Sequence, residues 1–221
     1  KNILNCKVDG ERRNAIKRNH TATHLLHAAL KEILGDHVHQ AGSSVGPENF
    51  RFDLTHFEKI TSEEIQRVEK IVNDQIIKNT KVVPDIKSFD DAKKEGAEAL
   101  FGEKYGDIVR VLTISDFSKE LCGGTHVNRT GDIGFFKIIE ESSLAAGDRR
   151  IVAITGKEAV KFVQEQNNIL QKLQEALKPS HSEILEKTNT LVKQKKELEK
   201  AAKQKKLVEG FQAKSLMAGA I

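Results

Sequence analysis

The stretch Asn19-His20-Thr21-Ala22-Thr23-His24-Leu25-Leu26-His27-Ala28-Ala29-Leu30 decides how the rest of the chain is interpreted. Asn19 is a suitable N-cap, and no proline or glycine interrupts the run before Gly35, so the pattern predicts a helix from about Asn19 to Leu34. His20 and His24 are four residues apart and therefore lie on one face of that helix. One rigid element thus offers two imidazoles to a single metal ion.

A second pair of possible ligands lies far downstream, in Cys122-Gly123-Gly124-Thr125-His126. The two glycines free the backbone to curve around an ion. Histidine and cysteine in a set of four are the ligands that zinc prefers. We therefore expect the fold to bring together four zinc ligands: His20, His24, Cys122 and His126. His27 shares the helix face and is an alternative to either of the other two histidines.

The composition sets limits on the class of protein. The chain has 221 residues, of which 38% are hydrophobic and 31% charged, and its net charge of +4 is too small to indicate a nucleic-acid partner by itself. Two cysteines do not make a disulfide framework, which favours a reducing, cytoplasmic setting. No apolar run is long enough to cross a membrane, so we expect no membrane partner. Because the chain starts at Lys1 without a methionine, we expect it to be a segment of a longer protein.

Helical and strand patterns alternate up to residue 156. Thr61 and Glu64 form a capping box that starts a helix ending near Asn79, and a short amphipathic helix is expected at 90–100. Pro84 marks an edge strand because it cannot donate a ladder hydrogen bond. The expected strands are 2–9, 37–45, 50–55, 81–86, 107–114, 131–140 and 149–154, with a loop at 141–148. The pattern predicts an α+β domain at 1–156, with a mostly antiparallel sheet and packed helices.

The composition changes after residue 156. Apolar residues then recur at alternating steps of three and four, which is a heptad pattern, and Pro179 divides it into two helices. We expect 157–221 to form either a helical hairpin within the chain or a coiled coil with another chain.

Several motifs together resemble the editing domain of alanyl-tRNA synthetases. They are 19–30, Gln40-Ala-Gly-Ser43, Arg51-Phe-Asp53, 99–106, Cys122–His126, and Glu141-Ser-Ser143 with Arg149-Arg-Ile151. Editing domains of threonyl-tRNA synthetases share the His-x-x-x-His and Cys-x-x-x-His pattern, but Gly-Gly-Thr in the second motif favours the alanyl family. Asp148 departs from the family, which more usually has an apolar residue there. The resemblance covers residues 8–156, and 157–221 is similar, less specifically, to the linker before the family's dimer-forming region.

The resemblance implies an activity and a set of site residues. The family hydrolyses seryl- or glycyl-tRNA(Ala), so the implied partners are tRNA(Ala), mischarged aminoacyl-tRNA and, through the C-terminal helices, a second copy of the chain. His20, His24, Cys122 and His126 are implied as ligands of one Zn²⁺. Thr23 matches the threonine that faces the seryl hydroxyl, and Gln40 matches a glutamine of the editing pocket. The remaining candidates, for contacts to substrate or tRNA, are Gly42, Ser43, Arg149 and Arg150. ATP and Mg²⁺ belong to the aminoacylation half, which this chain lacks.

Some alternatives stay open at the level of sequence. Gly42 and Ser43 leave room for a closely approaching ligand, but a β-bulge is the simpler interpretation. Zinc either takes part in ester hydrolysis or only shapes the site, because four protein ligands are typical of structural zinc. The chain is an editing segment of a synthetase, a free-standing hydrolase of the same superfamily, or a non-catalytic dimerisation module stabilised by zinc.

Overall fold

The computed structural model describes residues 4, 6–99, 104–178, 180 and 183–218, with side chains up to residue 205. The helices are α1 (Gly10–Leu34), α2 (Ser62–Ile77), α3 (Phe89–Lys94), α4 (Gly156–Leu177) and α5 (Ile184–Ala218). The strands are β1 (Gln40–Val45), β2 (Phe50–Thr55), β3 (Val82–Ser88), β4 (Ile108–Ile114), β5 (Ser118–Leu121), β6 (Phe136–Ala145) and β7 (Asp148–Thr155).

The strands form two antiparallel sheets, one with the order β1-β2-β7-β6 and one with the order β3-β4-β5. Helices pack on these sheets, so the predicted α+β class is confirmed. Strand β3, which contains Pro84, lies at an edge of the smaller sheet, as the missing N–H of proline requires.

The main core lies between the larger sheet and helices α1 and α2. Strand β2 alternates, and its apolar side chains Phe50, Phe52 and Leu54 are fully buried. Helix α1 covers them with Leu25, Leu26 and Leu30, and α2 adds Val68, Val72 and Ile76. This packing fixes the histidine-bearing part of α1 between the two sheets of the fold.

Helix α1 begins at Gly10 rather than near Asn19, so the predicted N-cap is wrong. Asp9 caps the helix, since its Oδ1 accepts a hydrogen bond of 3.0 Å from the backbone N–H of Arg12. Asn19 is buried inside the helix, and its side chain bonds to residues outside the helix instead of capping it. Its amide nitrogen donates to the carbonyl oxygen of Gly46 at 2.8 Å, and its Oδ1 accepts from the hydroxyl of Thr155 at 2.6 Å. These bonds tie α1 to the larger sheet.

Other boundaries also differ from the prediction. The loop expected at 141–148 is wrong, because β6 continues to Ala145 and forms a hairpin with β7 around a turn at Gly147, whose φ is +88°. The strand expected from Gly131 starts only at Phe136, after a short 3₁₀ helix at Thr130–Ile133. Strand β5 was not predicted. Residues 4 and 6–9 lie outside any strand, so the strand expected at 2–9 is absent from that described part.

The capping box is confirmed. The hydroxyl oxygen of Thr61 accepts from the N–H of Glu64 at 3.2 Å, and a carboxylate oxygen of Glu64 accepts from the N–H of Thr61 at 2.8 Å. The predicted helix at 90–100 is shorter, ending at Lys94, and its last predicted residue lies outside the described residues. Pro179, expected to separate the last two helices, also lies outside them.

The structure divides the chain into one unit that ends at Val163 and a second that begins at Gln164. The second unit consists of the end of α4 and all of α5, whose apolar side chains Ile169, Leu173, Leu191 and Leu198 are 40–70% exposed. No helix in the described part of the chain is both long and apolar enough to cross a membrane. The domain boundary predicted between residues 156 and 157 stays a prediction.

Candidate metal centre

The fold brings the two predicted pairs of ligands together. His20 and His24 project from one face of α1, and Cys122 and His126 lie in the loop that follows β5. One side-chain donor atom from each of the four residues lies within 4.8 Å of the others. The Sγ of Cys122 is 3.5 Å from the Nε2 of His20 and 3.3 Å from the Nε2 of His126. Donor atoms at these separations can surround one ion, because Zn–S bonds are about 2.3 Å and Zn–N bonds about 2.1 Å long.

The loop that carries Cys122 is held by Arg110 of β4. The Nη1 of Arg110 donates hydrogen bonds of 2.8 Å to the carbonyl oxygens of both Cys122 and Gly124. The backbone N–H of Cys122 donates in turn to the carbonyl oxygen of Arg110 at 2.9 Å. One arginine therefore fixes the curvature of the loop at the point where the thiol must face α1.

Hydrogen bonds on the far nitrogens orient two of the imidazoles. The Nδ1 of His24 lies 2.7 Å from a carboxylate oxygen of Glu120, and the Nδ1 of His126 lies 3.4 Å from the hydroxyl of Thr21. The Thr21 hydroxyl donates to the carbonyl of Lys17, so it accepts from His126. Both rings thereby hold a proton on Nδ1 and leave Nε2 for a ligand.

The residues present fit a zinc ion. The Nε2 of His24 is buried and has no hydrogen-bond partner, although a buried imidazole nitrogen normally has one. A cation next to Cys122 would satisfy this atom. Three imidazoles and a thiol are also the donor set that suits zinc.

The charges around the centre favour the thiolate of Cys122. Burial would raise the pKa of this thiol, but the imidazoles of His126, His20 and His24 around the sulfur outweigh burial and lower the pKa to about 3. Burial would likewise lower the pKa of His24, but the carboxylate of Glu120 raises that pKa to about 10. A thiolate is the form of cysteine that binds metals, and a bound cation would take over the charge of the His24 proton.

A cavity of about 300 Å³ is lined in part by Glu120, whose carboxylate also contacts His24 of the cluster. Its wall includes His27, Gln40 and Glu98. The Nδ1 of His27 lies 3.0 Å from the second oxygen of Glu120, so His27 faces the cavity instead of the four-ligand cluster. The Nε2 of Gln40 donates to the hydroxyl of Ser43 at 3.1 Å. The structure therefore places Gln40 where a small ligand has room.

Thr23 lies between His20 and His27 on one face of α1, since it is three residues after the first and four before the second. It is 4% exposed, and its hydroxyl donates to the carbonyl oxygen of Asn19 at 2.9 Å. The oxygen keeps lone pairs that can accept a hydrogen bond. Among the described residues, the wall of the cavity includes Gln40 but not Thr23.

The structure places the four residues expected to contact substrate or tRNA on strands β1 and β7 of the larger sheet. Gly42 lies at a register shift of β1, which agrees with the bulge interpretation. Arg149 and Arg150 point to opposite faces of β7 and are engaged in ion pairs within the chain. Arg149 pairs with Glu141, and Arg150 donates to both carboxylate oxygens of Asp53 at 2.8 and 3.1 Å. The binding roles of Gly42, Ser43, Arg149 and Arg150 stay predictions.

Residue patterns do not reveal the side chains that support the ligands. Glu120, Arg110 and Thr21 are isolated polar residues in the sequence, and each gains its role from a partner on another element. The register of β5 would have placed Glu120 beside Cys122, but that strand is only four residues long.

Comparisons with known proteins identify sequences that the chain is similar to. Residues 109–152, which include β5, Cys122 and His126, match the family model of the threonyl and alanyl tRNA synthetase second additional domain. The chain is 53% identical over 194 residues to an alanine–tRNA ligase of Fervidobacterium nodosum, and this alignment covers 88% of the chain and 22% of the relative.

Two further relatives are also alanine–tRNA ligases. The chain is 52% identical over 193 residues to an alanine–tRNA ligase of Pseudoalteromonas translucida, covering 87% of the chain and 22% of the relative. It is 51% identical over 198 residues to one of Legionella pneumophila, covering 90% of the chain and 23% of the relative. The resemblance to alanyl-tRNA synthetases is confirmed, and the chain spans about a fifth of the length of these curated relatives.

Proposed function

Because the chain is similar to alanine–tRNA ligases over nearly nine tenths of its length, we propose that it is an editing segment of such a ligase. It hydrolyses the ester that joins serine or glycine to the 3′-terminal adenosine of tRNA(Ala). The observation that carries this proposal is the meeting of His20, His24, Cys122 and His126 beside the cavity that contains Gln40. A carbonyl ester is a suitable substrate for a site that combines a cation with a neighbouring cavity.

The need for such a site follows from the limits of selection by size. A pocket that accepts alanine cannot strongly reject glycine or serine, because one methyl or hydroxyl group changes binding by only about 1–3 kcal/mol. A separate hydrolytic site corrects the resulting errors. The same chain then has to recognise the wrong amino acid while it is attached to tRNA.

The centre binds one Zn²⁺ through His20, His24, Cys122 and His126 in this proposal. Bound zinc would supply Lewis acidity next to the ester. The residues of the chain hold and orient the groups around it: Glu120 and Thr21 fix two imidazoles, and Arg110 fixes the loop of Cys122.

Thr23 and Gln40 distinguish the substrates. The hydroxyl of Thr23 already donates to its own helix, so it acts as a hydrogen-bond acceptor toward the hydroxyl of a seryl group. Gln40 offers an amide at the cavity wall, next to the carboxylates of Glu98 and Glu120. Neither residue has to carry a proton in this proposal.

Deacylation of three substrates tests the proposal. Purified chain is incubated with seryl-, glycyl- and alanyl-tRNA(Ala), with and without a chelator, and the loss of each ester is followed. We expect hydrolysis of the first two, slower hydrolysis of the third, and loss of activity on chelation. Cys122→Ala should abolish the activity, whereas Cys6→Ala is the matched control, since Cys6 is the exposed second cysteine. Full activity of Cys122→Ala would contradict the proposal.

A structural role of the metal is the second candidate, and the number of ligands favours it. Four protein ligands complete a tetrahedral zinc site and leave no position open. If this role is the only one, removal of the metal unfolds the chain and no ester hydrolysis is found in the metal-bound form. The two candidates are separated by measuring deacylation and circular dichroism in the same chelator titration.

The exposed apolar residues of α4 and α5 support a further proposal, that the second unit pairs with another copy of the chain. Residues such as Leu191 and Leu198 bury little of their surface within the chain, and a coiled-coil partner would cover them. Light scattering over a range of concentrations should find a dimer, and Leu198→Lys should weaken it. A monomer at every concentration would contradict this part of the proposal.

A further inference from the structure

Among the described residues, Glu120 is the one whose two carboxylate oxygens each contact a different imidazole of α1. One oxygen lies 2.7 Å from the Nδ1 of His24, and the other lies 3.0 Å from the Nδ1 of His27. The carboxylate side chain is 8% exposed, and those of His24 and His27 are 7% and 6% exposed. The three side chains are therefore largely buried.

The backbone around Glu120 is held on both sides. Glu120 pairs with Leu112 of β4 in the antiparallel ladder, and the segment at Glu98 runs along its other side, where the N–H of Leu121 donates to the carbonyl of Glu98 at 2.8 Å. Because Cys122 follows two residues later, directly after the end of β5, this strand also determines where the loop with the thiol begins. The carboxylate therefore has a fixed place relative to the centre.

We propose that Glu120 is a positioning residue that keeps the Nδ1 nitrogen of His24 protonated, so that Nε2 of His24 faces the metal ion. A carboxylate accepts hydrogen bonds and cannot donate them when ionised. The Nδ1 of His24 must therefore carry a proton, and its buried, unpartnered Nε2 is the atom left for the cation. The same argument fixes His27, so the carboxylate also connects the centre to the wall of the cavity.

This inference rests on the proposed metal centre, and it goes beyond the choice of ligands. Carboxylates that orient metal-bound histidines raise the basicity of the ring, and their loss typically lowers metal affinity about 10–100-fold. Glu98 provides the contrast, since it lies 3.7 Å from the Nδ1 of His27 and pairs with Lys31, but makes no described contact with His24.

The test compares Zn²⁺ affinity in three variants by competition with a chelating dye. Glu120→Leu removes both acceptors and should weaken Zn²⁺ binding about 10–100-fold. Glu120→Gln keeps one acceptor and should give a smaller loss. Glu98→Gln is the matched control and should keep the Zn²⁺ affinity of the parent chain.

A second measurement separates positioning from a general loss of structure. Long-range ¹H–¹⁵N spectra report which nitrogen of each imidazole is protonated. In the parent chain with Zn²⁺ we expect His24 to show protonated Nδ1 and metal-bound Nε2, and in the Glu120 variants a second tautomer should appear for His24. His126, which is held by Thr21 instead, should keep its tautomer.

The outcomes are distinguishable from those of the proposed function. If the parent chain does not bind Zn²⁺, the metal centre itself is refuted. If it binds and both Glu120 variants match its affinity with an unchanged His24 tautomer, only the positioning role is overturned. If Glu120→Leu fails to fold, Glu120→Gln decides the matter by the same two measurements.

Discussion

The backbone of Gly124 lies directly against the imidazole of His20. A Cβ atom placed on Gly124 would be 2.1 Å from the Cε1 of His20 and 2.6 Å from its Nδ1, which is closer than real side chains approach. A side chain at this position would therefore have to displace the imidazole of His20, so the constraint on Gly124 is a close contact and not an unusual φ. The neighbouring Gly123 has no atom within 4 Å of such a Cβ.

The first prediction uses these two glycines as a matched pair. Gly124→Ala should displace His20 and weaken Zn²⁺ binding about tenfold or more, because the imidazole can no longer keep its orientation. Gly123→Ala should leave Zn²⁺ affinity within a factor of two or so of the parent value. Dye competition measures both, and equal affinities for the two variants would contradict the close contact.

The second prediction concerns the loop of Cys122. Arg110→Met keeps much of the side-chain length but removes both hydrogen bonds to the carbonyl oxygens of Cys122 and Gly124. We expect Zn²⁺ affinity to fall about tenfold, since the thiolate is then less well oriented. The exposed Arg67 of α2 provides the control as Arg67→Met. If Arg110→Met has the same Zn²⁺ affinity as Arg67→Met, the loop holds its shape without Arg110.

The third prediction addresses substrate selection. Thr23→Val preserves volume but removes the hydroxyl oxygen that we propose as acceptor for the seryl group. The ratio of deacylation of seryl- to alanyl-tRNA(Ala) should fall about tenfold, the effect of one lost hydrogen bond of about 1.4 kcal/mol. Glycyl-tRNA(Ala) lacks the hydroxyl and is the internal control. A ratio that does not change excludes Thr23 as the selecting residue.

The fourth prediction separates stability from tRNA binding at Arg150. This guanidinium donates to both oxygens of Asp53, whose side chain is 6% exposed, and the pair raises the pKa of Arg150. Arg150→Ala removes both hydrogen bonds to this buried carboxylate and leaves it only the Nε of Arg51 at 3.3 Å, so the variant should lower the thermal midpoint of unfolding. The double variant with Asp53→Asn should recover part of this loss. If Arg150→Ala weakens only tRNA binding, the ion pair has no structural role.

The fifth prediction is a pH dependence at the start of α2. The hydrogen bonds from the N–H and hydroxyl of Thr61 lower the pKa of Glu64 below its ordinary value of 4.5. A folded pKa below the unfolded one means that this stabilisation is complete above the unfolded pKa and is lost as the pH falls through the folded pKa.

Thr61→Ala should therefore cost about 1 kcal/mol of unfolding free energy at pH 7. This cost should shrink as the pH falls below 4.5, because protonated Glu64 no longer benefits from the cap. Ser62→Ala, one residue into the helix, is the control and should show little change. Denaturant unfolding at several pH values measures the difference, and a cost that does not vary with pH would contradict the assignment.

Local patterns were sufficient to predict much of this fold. The alternation of Phe50, Phe52 and Leu54 predicts a buried strand face, and the capping box of Thr61 and Glu64 predicts the start of a helix; both predictions are confirmed. The pairing of His20 with His24 follows from helical spacing alone. These features depend on residues that are close in sequence, so one amino-acid sequence is enough to predict them.

Other features depend on partners that are distant in sequence. The sequence around Asn19 is typical of an N-cap, but its side chain forms hydrogen bonds with Gly46 and Thr155 instead. Residues 141–145 are polar enough to indicate a loop, but pairing with β7 keeps them in a strand. Glu120 contacts His24 and His27 only because β5 lies against α1, and no local sequence pattern predicts that contact.

The two ligand pairs are far apart along the chain, and this affects the entropy of the unfolded chain when an ion joins them. His20 and Cys122 are separated by 102 positions, so an ion that joins them acts as a cross-link closing a long loop. A covalent link closing a loop of that size removes roughly 5 kcal/mol of unfolded-chain entropy in the simplest model. Any step in which one of the four ligands leaves the ion would open that loop. Ligand exchange and global stability are therefore coupled, and every change that tightens the centre should raise the free energy of unfolding.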